Sequence, residues 1–319
     1  MNLAPVVMFV YNRVDHTKKT IEALIRNKLA NESILYIFSD GSKNNDDINE
    51  VKIVRNYIRK LNYGFKKIII IESDYNKGLA KSVIDGVTRI INEHKKVIVL
   101  EDDIITSENF LEYMNDGLKY YEDNHRIWSI SGYNLPIKIP IDYKNDIYFG
   151  YRACSWGWAT WKDRWEKNDW DVSDYTEFMN DKKKIKVFNR GGNDMSNMLD
   201  RQMKNEINSW AIRWCYSQYK NDSYCVYPVI SKVENIGNDG SGTNCDKNNL
   251  FDTVIDSSTR KTEFLDTVIE NEEILKNFRK YFKRPLLPRW LEIYLKNKGV
   301  YNKLKKIKKN LLSYYEKIA

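Results

Sequence analysis

Four short apolar runs, recurring about every thirty residues, constrain this chain more than any other feature. They are Pro5 to Tyr11, Ile34 to Ser39, Ile68 to Glu72 and Val97 to Leu100, and each leads into a polar or glycine-containing turn. The segments between them, near 15–29, 46–62 and 78–94, carry apolar residues at helical spacing, as in Ile48, Val51, Ile58 and Leu61. Strands that alternate with helices in this way require a mostly parallel sheet with helices on both faces. The runs are continuous, Ile68-Ile69-Ile70-Ile71 among them, which is the pattern of strands covered on both sides. A further helix capped near Ser107 and a fifth strand at Ile127 to Ser131 complete an α/β domain over residues 1–135.

Beyond residue 135 the rhythm breaks and tryptophan becomes dense: Trp156, Trp158, Trp161, Trp165, Trp170, Trp210 and Trp214. Residues 136–260 are read as a second, helix-rich lobe built against the sheet, with 191–220 helical in its later part and a glycine-rich loop near 235–244. The stretch Tyr151 to Trp158 has two readings, a groove of flat aromatic faces for a sugar ring or ordinary core packing. For Trp161 and Trp165, four apart on a predicted helix, packing is preferred. Residues 261–319 form a C-terminal, partly helical region.

The net charge of +8 suggests nucleic acid until it is located. Residues 296–319 hold eight lysines against the single acid Glu316, so +7 of the excess lies there and the body is nearly neutral. A neutral body argues against a nucleic-acid partner, which needs a basic stripe on the fold itself. In the tail, Val300, Leu304, Ile307, Leu311, Tyr314 and Ile318 fall on one helix face with lysines around it. Such a helix either lies on an anionic membrane surface or packs its apolar stripe on the body. No long apolar span or charged leader is present, and the four cysteines form no CxxC pair. The expectation is a cytoplasmic protein with reduced thiols, peripherally associated with the inner face of the membrane.

In an open parallel sheet, ligands sit beyond the carboxyl ends of the strands. There the fourth run passes directly into Glu101-Asp102-Asp103, three adjacent carboxylates that destabilise one another unless a cation or hydrogen-bond donors compensate. Strand alternation sends Glu101 and Asp103 to one side and Asp102 to the other. A solvated turn is the plain reading of such a triplet, but its place after a buried strand favours a divalent ion, and oxygen ligands suit Mn2+ or Mg2+. The first run ends in Tyr11-Asn12-Arg13 and the second in Ser39-Asp40-Gly41-Ser42. Arg13 has the chemistry to pair with a diphosphate, and Asp40 to accept hydrogen bonds from a base or ribose; a helix-start charge and a turn aspartate are the plain alternatives. The glycine-rich fingerprint of dinucleotide-binding folds is missing after the first run, which argues against an NAD enzyme.

Together, Tyr11-Asn12-Arg13, Ser39-Asp40-Gly41, the Asn76-Lys77-Gly78-Leu79 turn and the strand running into Glu101-Asp102-Asp103 resemble the nucleotide-sugar half of GT-A glycosyltransferases. More narrowly they resemble the N-acetylglucosaminyltransferase I type and bacterial family-2-like cell-surface polysaccharide glycosyltransferases. The resemblance covers 5–135 well, and continues more loosely through Gly157-Trp158 and Pro228 to Thr243. It implies a GT-A fold with an acceptor lobe at 136–260, and a hexosyl- or N-acetylhexosaminyltransferase that uses a UDP-sugar. Asp103 would hold the metal, Asp102 would face the ribose and Glu101 the transferred sugar, with Tyr11, Arg13, Asp40 and Lys77 at the donor. Gly237, Asp239, Gly240 and Gly242 would belong to a mobile lid over it. The implied mechanism is an inverting displacement by a hydroxyl of a glycan or lipid-linked glycan acceptor.

One part of the family pattern is missing. Its animal members place an acidic pair beside a tryptophan in the second lobe, whereas this chain reads Glu206-Ile207-Asn208-Ser209-Trp210. Glu206, one helical turn before Trp210, is named first as the catalytic base and Asp200 second, with a surface helix acid as the plain reading of each. Two other functions compete. A sugar nucleotidyltransferase needs a glycine-rich basic loop after the first strand, which Asn12-Arg13-Val14-Asp15 does not supply; a non-enzymatic basic binding module would work through the tail alone.

Overall fold

The computed structural model of the chain describes residues 3–239, 250–258 and 260–282. By internal contacts the chain divides into two compact units, Met1–Phe282 and Lys283–Ala319. The second unit, with the tail at 296–319, lies outside the described residues, as do Gly240, Gly242 and Cys245.

The strands are β1 (Val6–Val10), β2 (Ile34–Ser39), β3 (Lys67–Glu72), β4 (Lys96–Glu101), β5 (Ile104–Thr106), β6 (Ile127–Ser131), β7 (Ile147–Gly150), β8 (Trp158–Trp161), β9 (Tyr224–Pro228) and β10 (Val233–Asn235). The helices are α1 (Val14–Ile25), α2 (Ile48–Ile58), α3 (Leu79–His94), α4 (Phe110–Tyr120), α5 (Lys162–Trp165), α6 (Tyr175–Asn180), α7 (Lys182–Phe188), α8 (Met195–Met203), α9 (Trp210–Lys220) and α10 (Glu272–Tyr281). One eight-stranded sheet runs in the order β3-β2-β1-β4-β8-β6-β9-β7, and β5 and β10 form a separate antiparallel ribbon. Pairing is parallel through β3, β2, β1 and β4, as the alternation predicts; β8 is antiparallel to both β4 and β6, and β7 is the antiparallel edge. The fold is therefore α/β with a mostly parallel sheet.

Continuous apolar strands are explained by two cores. In β1, Val6, Met8 and Val10 enter one core with Ile21, Leu24, Val54 and Phe110, while Val7 and Phe9 enter the other with Val83, Val87 and Ile90 of α3. Period-two alternation has thus divided a single apolar run between opposite faces. Residues 136–260 add β7, β8 and β9 to the same sheet, so the change of composition at 135 marks the end of its parallel half rather than the edge of a body.

The tryptophans form core. Trp158 lies 5.1 Å from Trp210, 5.8 Å from Trp165 and 6.0 Å from Trp214 between ring centroids, and all four are buried. A sugar groove walled by Trp158 is excluded by that burial. Trp161 and Trp165 do pack in the interior, but Trp161 ends β8 and donates its indole N–H to Leu118 O at 2.9 Å, so the two lie in different cores rather than on one helix. Trp156 is half-buried, edge-on to Tyr133 and Phe251. Trp158→Ala should cost about 3–5 kcal/mol in urea unfolding, as expected for an aromatic removed from a packed interior. Trp156→Ala should cost under about 2 kcal/mol, and equal losses would contradict this division of roles.

Candidate active site

Every strand in the parallel half delivers its following residues to one edge, and Arg13, Asp102 and Asp103 meet there. β1 and β4 are neighbours with Phe9 opposite Glu101. Beyond β1, Arg13 precedes the first turn of α1, and its carbonyl accepts from the Thr17 amide at 3.0 Å and the Thr17 hydroxyl at 2.8 Å. Its guanidinium turns back across the strand ends. A single nitrogen, Nη2, donates to Asp102 Oδ1 and, at 2.7 Å, to Asp103 Oδ2. The peptide carbonyls of the two aspartates are also held: Asp102 O accepts from Thr20 Oγ1 at 2.8 Å, and Asp103 O from the Ile236 amide at 2.9 Å.

This corrects one expectation. Asp102 and Asp103 do not point to opposite sides, because β4 ends at Glu101 and the pair lies in a turn where strand alternation no longer applies. Both reach the same guanidinium.

One arginine does not neutralise three carboxyls. Burial pushes the Asp102 carboxyl up to about 6, against the pull of Arg13. Burial first, and then the charges of Asp103 and Asp102, push Glu101 up to about 8. The same neighbours raise the Arg13 guanidinium despite its own burial, so it stays charged. Two carboxylate oxygens, Asp102 Oδ2 and Asp103 Oδ1, are buried without a hydrogen-bond partner among the described residues. A buried, unpartnered carboxylate oxygen is costly and calls for a cation or a donor from outside the chain.

The turn Gly237–Asp239 covers the cluster. A Cβ at Gly237 would lie 2.1 Å from Asp103 Oδ2 and 3.1 Å from Arg13 Nη1, so only glycine fits. Asp239 contacts His16 of α1 at 3.2 Å, and the Gly237 amide donates to Asn235 Oδ1 at 2.8 Å. The described part of the predicted lid is therefore tied to the site by close packing.

Asp40 serves a different purpose from the one its type suggests. Its Oδ1 accepts from the amides of Gly41 at 3.0 Å and Lys77 at 2.9 Å, and its Oδ2 from that of Gly78 at 2.9 Å. Asn76 Nδ2 returns a bond to Gly41 O at 2.8 Å, and a Cβ on Gly41 would meet the Tyr75 backbone at 2.5 Å. Ser39-Asp40-Gly41 and Asn76-Lys77-Gly78 are thus one interlocked pair of loops. The Lys77 ammonium points to Asp85 at 3.4 Å. Tyr11 donates its hydroxyl to Asp47 at 2.8 Å and accepts from the Lys43 amide, holding the loop before α2; burial and Asp47 together push it up to about 12.

Arg55 carried no signal in the sequence, yet it joins these loops from α2, donating to Ser39 O, Asp40 O and Ser73 O at 3.4, 3.2 and 2.6 Å. An arginine beside the buried Val51 and Val54 is the only trace it leaves in the chain. Beside it a recess of about 230 Å³ opens, lined by Gly41, Ser42, Ile48, Arg55 and Asp74 among others.

The two acids proposed as base lie on other elements. Asp200, buried on α8, accepts from Tyr175 Oη and pairs with Lys204, both at 2.7 Å. Glu206 is more exposed and lies 3.5 Å from Arg201. It does not share a helix with Trp210, because α8 ends at Met203 and α9 begins at Trp210 behind a Ser209 cap.

Among the described residues, no group of three or more His, Cys, Asp or Glu side chains is placed to hold a metal ion. A fully caged metal is thus not offered by these residues. The two orphaned oxygens nonetheless suit an ion that takes one or two protein carboxylates and completes its shell with phosphate and water.

No protein-family model matches the chain, and no curated protein matches it in sequence. Among solved structures it is similar to S. aureus TarS. The fragment 1–349 matches at TM-score 0.39 and 10% identity, and the same fragment in complex with UDP at 0.40 and 11%, each over 72% of this chain and 59% of that one. A longer TarS structure matches at 0.40 and 10% over 36% of its length, so this chain spans less than two thirds of each. A likeness this coarse decides neither the site nor the reaction, which must be argued from the chain's own side chains.

Two outcomes follow from the geometry. Gly237→Ala should force the turn off Asp103 and lower stability by about 1–3 kcal/mol in chemical denaturation; an unchanged midpoint would show the contact to be absent. The carboxyls predict a pH dependence. Glu101 and Asp102 bind protons more tightly folded than unfolded, so their contribution is complete below about pH 4 and is lost as pH rises through about 6 for Asp102 and about 8 for Glu101. The ligand-free Tm should fall over that interval, and Glu101→Gln should flatten its upper part. An equally steep fall in Glu101→Gln would contradict the assignment.

Proposed function

We propose that this chain is an inverting, metal-dependent glycosyltransferase that moves a sugar from a UDP-sugar to a hydroxyl group of a bacterial surface-glycan acceptor. N-acetylglucosamine or a related hexose is the proposed sugar. The observation that carries this reading is the pair of buried, unpartnered oxygens of Asp102 and Asp103 beside Arg13, at the carboxyl ends of β1 and β4. A site with surplus negative charge and one fixed guanidinium is suited to a diphosphate that arrives with a divalent ion.

In this reading Asp103 holds Mn2+ or Mg2+, with Asp102 beside it. The ion, when bound, supplies Lewis-acid stabilisation of the departing nucleoside diphosphate. Arg13 orients the diphosphate and adds a charge that needs no rearrangement during the reaction. Glu101, at the end of β4 beside the two aspartates, faces the transferred sugar. The Asp40 knot shapes the loops that receive the nucleotide, and the Gly237 turn excludes water from the cluster. Removal of the acceptor's proton falls to Glu206, the more accessible of the two candidate acids. The basic tail would bring this chemistry to an anionic membrane surface, and no helix among the described residues is long and apolar enough to cross one.

The test is a thermal-shift panel of UDP-sugars with and without Mn2+, followed by release of UDP in the presence of acceptor glycans. One UDP-sugar should raise Tm selectively and only with metal. Asp103→Asn should abolish that shift and lower turnover on the order of 100-fold or more while the fold persists. Equal stabilisation in chelator, or full turnover by Asp103→Asn, would remove the metal and the site from the mechanism.

A further inference from the structure

A second concavity, of about 460 Å³, lies on the helical half of the molecule, away from the strand-end residues discussed above. Its walls are Lys182, Ile185 and Lys186 of α7, Asn189, Arg190 and Asn193 that follow it, and Arg279 of α10. Four of these seven side chains are cationic.

The Asp181 carboxylate caps α7, accepting from the Lys183 and Lys184 amides at 2.8 and 3.1 Å, and this local compensation is directed at those two residues rather than at Lys182 and Lys186. Lys182, Lys183 and Lys184 occupy its first turn, where the helix dipole disfavours cations and acids are the stabilising choice. Lys182 and Lys186 are four residues apart on one face, a like-charge spacing that also costs stability. Lys184 is relieved by Glu177 at 2.5 Å, on the side of α6. Lys182 and Lys186, the two that face the groove, have no ion pair among the described residues.

The third cation is rigidly presented. Arg190 stacks on the Tyr151 ring with its guanidinium carbon 3.8 Å from the centroid, and pairs with Glu270 at 2.6 Å. Those contacts fix its plane and leave further N–H donors available, because a guanidinium has five. Arg279 stands 3.8 Å from Glu272. Asn189 is engaged on both amide atoms by Ser196, so it forms wall rather than ligand contact.

We propose that this groove binds a phosphate-bearing ligand, held by Lys182, Lys186 and Arg190. Two unpaired lysines beside an immobilised arginine match the several acceptor oxygens of a phosphate, and a bound anion removes the repulsion that the empty helix bears. The phosphate can come from a soluble phosphorylated chain or from a phospholipid headgroup, and the probes separate the two.

The experiment titrates the full-length chain with inorganic tripolyphosphate, and separately with phosphatidylglycerol vesicles, at fixed moderate salt. Because the tail also carries charge, the double variant Lys182→Gln/Lys186→Gln is compared with Lys60→Gln/Lys66→Gln, which removes the same charge from exposed positions elsewhere. The groove variant should weaken binding of one probe by about tenfold or more, and the control variant by less than about twofold. Loss confined to tripolyphosphate assigns a soluble ligand, and loss confined to vesicles assigns a headgroup. Without ligand, the groove variant should melt at or above the wild-type temperature, which also shows that it folds. The proposal is overturned if both variants weaken binding equally, or if neither changes it.

Discussion

The site rests on one guanidinium reaching two carboxylates. Arg13 leaves the end of β1, Asp102 and Asp103 leave the end of β4, and the two strands are adjacent only because the chain crosses over three times, through α1, α2 and α3, before β4 is laid down beside β1. Ninety residues separate the partners of the Arg13–Asp103 contact. Remove the arginine and three carboxyls share a buried strand end without a cation, which the fold would tolerate only by protonating them or opening the turn. Keep it, and two carboxylate oxygens are still unpartnered. The arrangement is stable enough to form and still leaves acceptor oxygens open beside one fixed guanidinium.

That incompleteness explains why neighbouring elements are so tightly specified. The carbonyls of Asp102 and Asp103 are held by Thr20 on α1 and by Ile236 beyond β10, which fixes the backbone that carries the two carboxylates. Asp40, Gly41, Asn76 and Gly78 lock the next two strand-end loops to each other, and Arg55 fastens both to α2. A ligand entering here meets loops already positioned, which lowers the ordering cost of binding.

The parallel half of the fold was legible because its signal is local. An apolar run such as Ile68 to Ile71 followed by an amphipathic helix has few solutions, and the strand ends then name Arg13, Asp40 and the carboxylate triplet as neighbours. The antiparallel half was not legible for a physical reason: β7 and β8 are four residues each, too short to establish a period, and aromatic density in β8 reflects a core shared with α9 rather than a binding groove. Long-range contacts between ordinary polar residues left no trace either. Tyr11 with Asp47, His16 with Asp239 and the convergence of Arg55 on three carbonyls depend on the folded path, and each residue taken singly reads as a surface side chain. The two aspartates were recognised, but their common direction was not, since nothing in the sequence shows that β4 stops one residue before them.

How the cover over the site is held accounts for the last of these contacts. Gly237 approaches Asp103 so closely that an error of an ångström would be a collision, and a loop tethered only by its own ends does not keep that register. The tether lies five residues upstream. Lys232 bonds through its backbone to both Ser107 and Gly132, and its buried ammonium pairs with Asp256, which also accepts from Asn109. Although burial alone would raise the Asp256 carboxyl, the hydrogen bonds from Lys232, Asn109 and Ser258 hold it at about 2. The Asp256 carboxylate thus remains ionised across the working pH range, and removing its Lys232 partner would strand a buried charge at a cost of about 3–5 kcal/mol. From this anchor β10 runs antiparallel to β5, the strand that immediately follows Asp103, and the ribbon carries the register from Lys232 to Gly237. The cover and the carboxylates are therefore two ends of one short structure, so that whatever fills the space beside Asp103 also acts directly on the turn above it.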